Sequence, residues 1–304
     1  MTGNKKKFAK TEQKKNKMSQ TFTGGKKKYK KDMGKLNKNK TASFKSQKQV
    51  KDPAAQAQEI SPDILTGRNA VREVLKNDRP INKLLVAENA HGGSIQEIIG
   101  LARQKKVIVH TVSQNKINEL GGTSHNQGIL AYTPPVDYAL LEDVLEDIKQ
   151  KKETPFFLIL DEIEDPHNLG AVLRTADAAG VHAVIIPKRR SCPLSSTVAK
   201  VSAGAIEYVP VIRVNNIAQT LIELKEAGFW IAGADASAET FYYDANFKGA
   251  LAIVIGSEGK GIGQLVRQSC DFLVKIPMYG KINSLNASNA AAILMYEALK
   301  QRML

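Results

Sequence analysis

The chain predicts an α/β fold, a mostly parallel sheet in the C-terminal half preceded by a smaller α/β unit, and three observations predict it. From Pro155 onward, short β-branched and apolar runs alternate with helical patterns, as parallel strands joined by crossover helices require. Gly180 and Gly228 close two of those helical patterns, where a left-handed residue is commonly needed. Three turns rich in glycine and asparagine each follow an apolar run and precede a helix-like one, and the carboxyl ends of parallel strands are where open α/β sheets bind ligands.

In the smaller unit, Val71, Val74 and Leu75 recur at helical spacing, and residues 83–87 read as a strand. Residues 94–104 repeat the helical pattern through Ile95, Ile98, Ile99 and Ala102, and 107–112 are β-branched and strand-like. Ser113 suits the N-cap of a short helix ending at Gly121 and Gly122, and 128–132 close the unit as a strand. Residues 137–152 are charged and amphipathic, a connecting helix. Beyond Pro155, strands are expected at 156–163, 183–187, 208–213, 229–234, 251–255 and 272–277. Helices are expected at 170–179, 197–203, 217–227, 263–269 and 286–301. The organisation expected is therefore a lysine-rich arm and linker (1–61), a small domain (62–135), a linker (136–153) and a larger domain (154–304).

Charge sets the arm apart. Residues 1–51 hold 18 lysines against Glu12 and Asp32, a formal +16, whereas all 304 residues sum to +14, so residues 52–304 are net −2. A stretch so charged and so poor in apolar residues cannot bury enough surface to offset its ordering entropy, and disorder is expected. Its lysines suit the neutralisation of nucleic-acid phosphates, with salt-dependent and sequence-independent affinity; a solubilising tail or a membrane-attracted one is the plainer alternative. No apolar core follows the basic start, and no segment is long and apolar enough to span a bilayer, so cytoplasmic residence is expected. The two cysteines, Cys192 and Cys270, lie far apart without metal-ligand spacing; both read as small packed side chains, and no metal is expected.

The three turns carry the chemistry. The first holds Asn168, Leu169 and Gly170, then Arg174, Thr175 and Ala176; the second runs from Gly256 through Ser257, Glu258 and Gly259; the third begins at Ile276 and includes Ser284, Leu285 and Asn286. The second fails both the phosphate-loop and the dinucleotide fingerprints in its glycine spacing. In this order and spacing, the three segments resemble the SpoU family of RNA 2′-O-methyltransferases, in the SPOUT class, from about Pro155 to the C-terminus. The region from Thr66 to about Pro134 looks like the small L30e-like RNA-binding domain that some members carry.

The resemblance implies S-adenosyl-L-methionine as cofactor, a trefoil knot in the C-terminal domain and homodimers with the site near the interface. The residues of the last helix offered for that contact are Ile293, Leu294, Tyr296 and Leu299, which could equally be core. It implies a ribose 2′-hydroxyl of large-subunit ribosomal RNA, typically on a guanosine, as acceptor. The alternatives are a transfer-RNA 2′-O-methyltransferase and a non-catalytic RNA-binding assembly factor. By the same resemblance Gly256, Ile276 and Leu285 contact the cofactor through their main chains, Arg174 is the central catalytic residue, and Glu258 orients Arg174 or nearby backbone. Asn168 fixes the loop or Arg174, and Ser284 and Asn286 hold phosphate or ribose. A guanidinium is a poor base, so the physical role expected of Arg174 is to clamp phosphate and stabilise the developing alkoxide. An ion pair with Asp177, three residues on, is its plainer role, as helix capping is for Asn168 and Asn286. Asn289 departs from the apolar residue usual in the family. Arg68, Asn69, Arg72, His125, Asn126 and Gln127 are polar at loop and helix-start positions of the small domain, suited to reading RNA or to capping and solvation alone.

Overall fold

Strands with no polar position need cover on both faces, and 156–160 and 251–255 are two such runs. In the computed structural model, which describes residues 63–303 except Asn283, they are adjacent parallel strands with every residue buried. Alternation splits their side chains between two cores: Phe156, Leu158, Leu251 and Ile253 enter one, Phe157, Ile159, Ala252 and Val254 the other. The lysine-rich arm lies outside the described residues.

The smaller sheet comes first along the chain. Strand β1 (Asp63–Thr66) leads to α1 (Arg68–Lys76), β2 (Lys83–Ala87), α2 (Gly93–Gln104), β3 (Val109–Val112), α3 (Gln114–Gly121) and β4 (Ile129–Thr133). The order is β1-β4-β2-β3, with β4 antiparallel to both its neighbours and β2 parallel to β3. Ser113 caps α3 through its hydroxyl, which accepts from the Lys116 amide, and left-handed Gly122 ends the helix. Strand β1 offers only Ile64 and Leu65 between polar ends, too little for periodicity to reveal.

Helix α4 (Leu141–Lys151) does more than connect: Val144 and Ile148 pack into the core on one face of the larger sheet. That sheet is built from β5 (Phe156–Leu160), β6 (Ala183–Pro187), β7 (Val211–Val214), β8 (Trp230–Ala234), β9 (Thr240–Phe241), β10 (Leu251–Ile255) and β11 (Phe272–Lys275), ordered β7-β6-β5-β10-β8-β11-β9. Every pairing in it is parallel. Helices α5 (Pro166–Ala178), α6 (Ser196–Val201), α7 (Ile217–Glu226), α8 (Gln264–Gln268) and α9 (Ala287–Met303) cover it.

Several expectations shift, among them the strands expected at 156–163 and 272–277, which end at Leu160 and Lys275. Helix α5 begins four residues before 170, because the Asp165 carboxylate caps the amides of His167 and Asn168 and Pro166 suits the first turn. Tyr208 lies outside the strand expected at 208–213; Pro210 has no N–H for the ladder, and β7 starts at Val211. Tyr208 follows a 3-10 turn (Ala205–Glu207), and its hydroxyl donates to Glu73 of α1 at 2.6 Å. In α9, Leu294 is fully buried core and leaves any outer contact to half-exposed Tyr296, with Ile293 and Leu299 only partly covered.

The described residues belong to one compact unit, and the two sheets meet where α6 packs on β1. There Arg79, just after α1, pairs with Glu207 at 2.5 Å and donates to the Thr133 hydroxyl, while Asn77 donates to the Glu207 carbonyl.

Candidate active site

Strand order brings the three turns together. Because β10 lies between β5 and β8, with β11 beyond β8, the carboxyl ends of β5, β10 and β11, which the three turns follow, open at one edge with that of β8 among them. At that edge is a cavity of about 500 Å³, of a size suited to a small organic ligand. Gly256 and Glu258 line it from the second turn, Ile276, Met278, Ser284 and Leu285 from the third. Ile255, Val274 and Ala290 give it apolar walls.

The main chains of Gly256, Ile276 and Leu285 make no hydrogen bond among the described residues, so each leaves peptide groups available at the cavity. Gly256 is required for a reason internal to the chain. A Cβ there would lie 2.0 Å from the Gly261 carbonyl carbon and 2.3 Å from the Ile262 nitrogen. The turn folds back on itself, Ser257 and Gly261 exchanging main-chain hydrogen bonds, so the side-chain space of Gly256 is filled by its own loop rather than by a ligand.

Two carboxylates, neither anticipated from sequence, hold the walls. Asp161, directly after β5, accepts from the Gly263 amide at 2.8 Å and so clamps the end of the second turn; burial pushes its carboxyl up. Asp235, directly after β8, lines the cavity and accepts from Ser237 and from Arg267. Burial pulls its carboxyl upward, but those hydrogen bonds outweigh it and leave it below its usual range. A strand end followed by Asp235, Ala236 and Ser237 was the available signal for this fourth wall.

Asn168, Glu258 and Asn286 form one network. Glu258 Oε1 accepts from Asn168 Nδ2 at 3.1 Å, from Asn286 Nδ2 at 2.7 Å and from the Ala287 amide at 3.3 Å. Asn286 Nδ2 also donates to Asn168 Oδ1 at 2.8 Å. Glu258 thus ties the first turn to the last helix and contacts the two asparagines rather than Arg174. Asn286 caps α9 as well, its Oδ1 accepting from the amides of Ser288 and Asn289. Asn168 is not the cap of α5; Asp165 is, which frees the amide of Asn168 for the network.

Arg174 stands apart. It is exposed on α5, is not among the residues lining the cavity, and makes no hydrogen bond or ion pair among the described residues, so the plainer alternative, a pair with Asp177, is not formed. Helical geometry places it about a third of a turn around from Asn168, on the outer face. Asn289 is exposed as well, so its amide disturbs no core. Cys192 and Cys270 are free and packed, and burial raises both thiols, Cys270 to about 12.

Comparison with known proteins agrees with this geometry. A sequence model of the SpoU rRNA Methylase family matches residues 155–296, and one for RNA 2′-O ribose methyltransferase substrate binding matches 64–139. The chain is 50% identical over 240 residues to a putative TrmH family tRNA/rRNA methyltransferase of Bacillus subtilis, covering 79% of this chain and 96% of that one. It is 51% identical over 239 residues to a similarly described protein of Staphylococcus aureus, with the same coverage. A solved RNA 2′-O ribose methyltransferase superposes with a TM-score of 0.68 at 26% identity, covering 81% of this chain and 90% of that one. The SpoU methyltransferase AviRb of Streptomyces viridochromogenes, solved with AdoMet, shares the fold with a TM-score of 0.67 at 22% identity, over 80% and 91% of the two chains. With the ordered turns gathered at one sheet edge and relatives this similar over most of its length, the chain belongs to the SpoU, or TrmH-like, family of RNA 2′-O-methyltransferases.

Proposed function

We propose that this protein methylates a ribose 2′-hydroxyl of ribosomal RNA, a guanosine of the large subunit, using S-adenosyl-L-methionine. The observation that carries the reading is the Asn168–Glu258–Asn286 network beside a cavity whose main-chain groups are open. That cavity fits the cofactor: apolar walls suit a purine, and the peptide groups of Gly256, Ile276 and Leu285 suit its polar edge. The cofactor supplies a methyl group on a positively charged sulfur. The protein's own task is positioning and electrostatics. Ser284, ahead of α9, holds the ribose or its phosphate, and Asn286, whose side chain is committed to Glu258, Asn168 and the cap of α9, holds that turn in place for it. Arg174, outside the cavity on the exposed face of α5 that is also proposed for pairing, meets the RNA where the dimer brings that face to the site, and there clamps phosphate and stabilises the alkoxide that develops as the hydroxyl proton departs.

The division into 62–135 and 154–304, the knot, cytoplasmic residence and pairing into homodimers belong to the same proposal. The interleaved order of β5, β10, β8 and β11 supports unusual threading, and the exposed face of α5 bearing Arg174, Asp177 and Ala178, with Tyr296 of α9, supports pairing. No helix of the described residues is long and apolar enough to cross a membrane. The charge of residues 1–51 supports an arm that collects RNA through phosphates.

The relatives' description as tRNA/rRNA methyltransferases keeps transfer RNA as the second reading. Incubation with labelled methyl donor and separate pools of large-subunit, small-subunit and transfer RNA distinguishes them: label in large-subunit RNA is expected. Label confined to transfer RNA overturns the substrate, and cofactor binding with no label in any pool makes the chain a non-catalytic RNA-binding factor.

Gly256→Ala tests the cavity separately. Its Cβ meets backbone that cannot yield without opening the turn. Calorimetric titration should show cofactor affinity at least about tenfold weaker, a loss of about 1.4 kcal/mol. Unchanged affinity would remove the second turn from the binding site.

A further inference from the structure

The small unit has a cavity of its own, about 340 Å³, at the end of its sheet where α1 and α3 begin and the 123–128 loop returns. Amides dominate its lining: Asn89, Gln114, Asn118, Asn126 and Gln127, with Arg68 beside them and no carboxylate. Asn126, fully buried, organises the rest. Its Nδ2 donates to Asn118 Oδ1 and to the Thr123 carbonyl, both at 2.7 Å, and its Oδ1 accepts from Gln114 Nε2 and from the Gly128 amide, both at 3.0 Å. All four of its hydrogen-bonding positions are thereby used.

The neighbours of Asn126 are only half used. Gln114 Nε2 spends both hydrogens, on Asn118 and Asn126, which leaves Oε1 an acceptor without a partner among the described residues. Asn118 Oδ1 accepts twice, and its Nδ2 is a donor without a partner among the described residues. The two residues stand one turn apart on α3 and both line the cavity, so a fixed acceptor and a fixed donor are presented together. Arg68 is largely committed to the walls of the cavity, with only Nη2 left without a partner among the described residues. Its Nε is spent on the Gln127 carbonyl and its Nη1 on the His91 carbonyl and the Ser94 hydroxyl. The loop wall is set just as firmly: Gln127 sits at a φ of 57°, held by its side-chain oxygen accepting from the Arg68 amide at 2.7 Å.

We propose that this cavity takes the edge of an unpaired RNA base. An acceptor beside a donor complements the amino group and ring nitrogen that adenine presents together, the pairing that asparagine and glutamine make with that base. Specific RNA recognition is directed at such unstacked bases. The inference rests on the reading of the chain as an RNA methyltransferase and assigns its small unit a base-reading site, remote in sequence from the three turns.

The full chain is titrated by fluorescence anisotropy with a short oligoadenylate and with an abasic oligoribonucleotide of equal length, in salt high enough to screen the lysine-rich arm. A preference of about tenfold for oligoadenylate is expected, from a bidentate base contact. Asn118→Asp keeps the Oδ1 that accepts from Gln114 and Asn126 and replaces only the free donor, so the preference should fall to about twofold or less. Asn89→Ala, which removes a cavity-lining amide without hydrogen-bond partners among the described residues, should reduce it without affecting the fold. Thermal melting and cofactor titration on each variant confirm an intact protein. Equal affinity of the native chain for the two oligomers, or an undiminished preference in folded Asn118→Asp, would overturn the proposal. Either result leaves methyl transfer to the RNA pools as a separate question, so this inference and the proposed activity fail independently.

Discussion

Arg174→Ala should lower single-turnover methyl transfer by about a hundredfold to a thousandfold, the cost of removing one donor aimed at developing negative charge. Cofactor affinity should stay within about twofold, because Arg174 lines no part of the cavity that Gly256, Ile276 and Leu285 share. The fold should be indifferent too. The side chain is exposed on the outer face of α5 and holds no partner among the described residues, and alanine is the best helix former. Exposed substitutions of this kind change stability by about 0.5 kcal/mol or less. A loss of rate with the oligomeric state unchanged, checked because Arg174 lies on the face proposed for pairing, would therefore report chemistry. Arg174→Lys should recover only part of the rate, since an ammonium keeps the charge but not the planar fork that grips phosphate. Glu258→Ala should look different, because it removes the acceptor shared by Asn168, Asn286 and Ala287 and loosens two turns together. Full turnover in Arg174→Ala, measured with purified large-subunit RNA and saturating cofactor, would end the assignment of Arg174.

The uneven legibility of the sequence has physical causes. Buried parallel strands such as Ala183–Pro187 and Leu251–Ile255 are continuous apolar runs bounded by turn residues, and both were placed to the residue. Strand β9 has two residues and no alternation to register, and β1 offers only Ile64 and Leu65 between polar ends. The start of α5 was written in Asp165 and Pro166 but masked by the glycine and asparagine that followed. Of the site, the shared cavity of Gly256, Ile276 and Leu285 and the meeting of Asn168, Glu258 and Asn286 agree with the ordered turns. The roles of Asp161 and Asp235 depend on which strands are neighbours, and no local pattern states that β10 enters between β5 and β8. Asn126 has the same lesson: an asparagine in a polar loop reads as solvated until the fold is known to enclose it.

Arg79→Ala should be the most destabilising single change at the junction of the two sheets, costing about 3–5 kcal/mol because it strands a buried carboxylate. Glu207 is only 5% exposed at its side chain and Arg79 13%. For a chain of this size that loss corresponds to a melting temperature lower by roughly 10 °C. The effect should depend on pH with a definite sign. Burial raises the Glu207 carboxyl above its usual value, and the charge and hydrogen bond of Arg79 oppose that rise. Without Arg79 the folded-state value climbs further. A raised value contributes stability that is fully present below the unfolded carboxyl's range and is lost as pH climbs through the folded value. The deficit of Arg79→Ala relative to the native chain should therefore shrink as the buffer is acidified from neutral toward that range. Adding Glu207→Gln, which removes the charge and keeps the shape, should recover much of the loss and flatten its pH dependence. The native pair is itself not fully compensated, since Arg79 Nε is buried without a partner among the described residues. The position of Arg79 between Glu207 and the Thr133 hydroxyl suits alignment of the small unit on the larger sheet more than stability. The double variant should then melt near the native temperature yet show a raised KM for RNA with cofactor affinity unchanged. A melting deficit of Arg79→Ala that is identical at both ends of the pH range would show that Glu207 is not the group it leaves uncompensated.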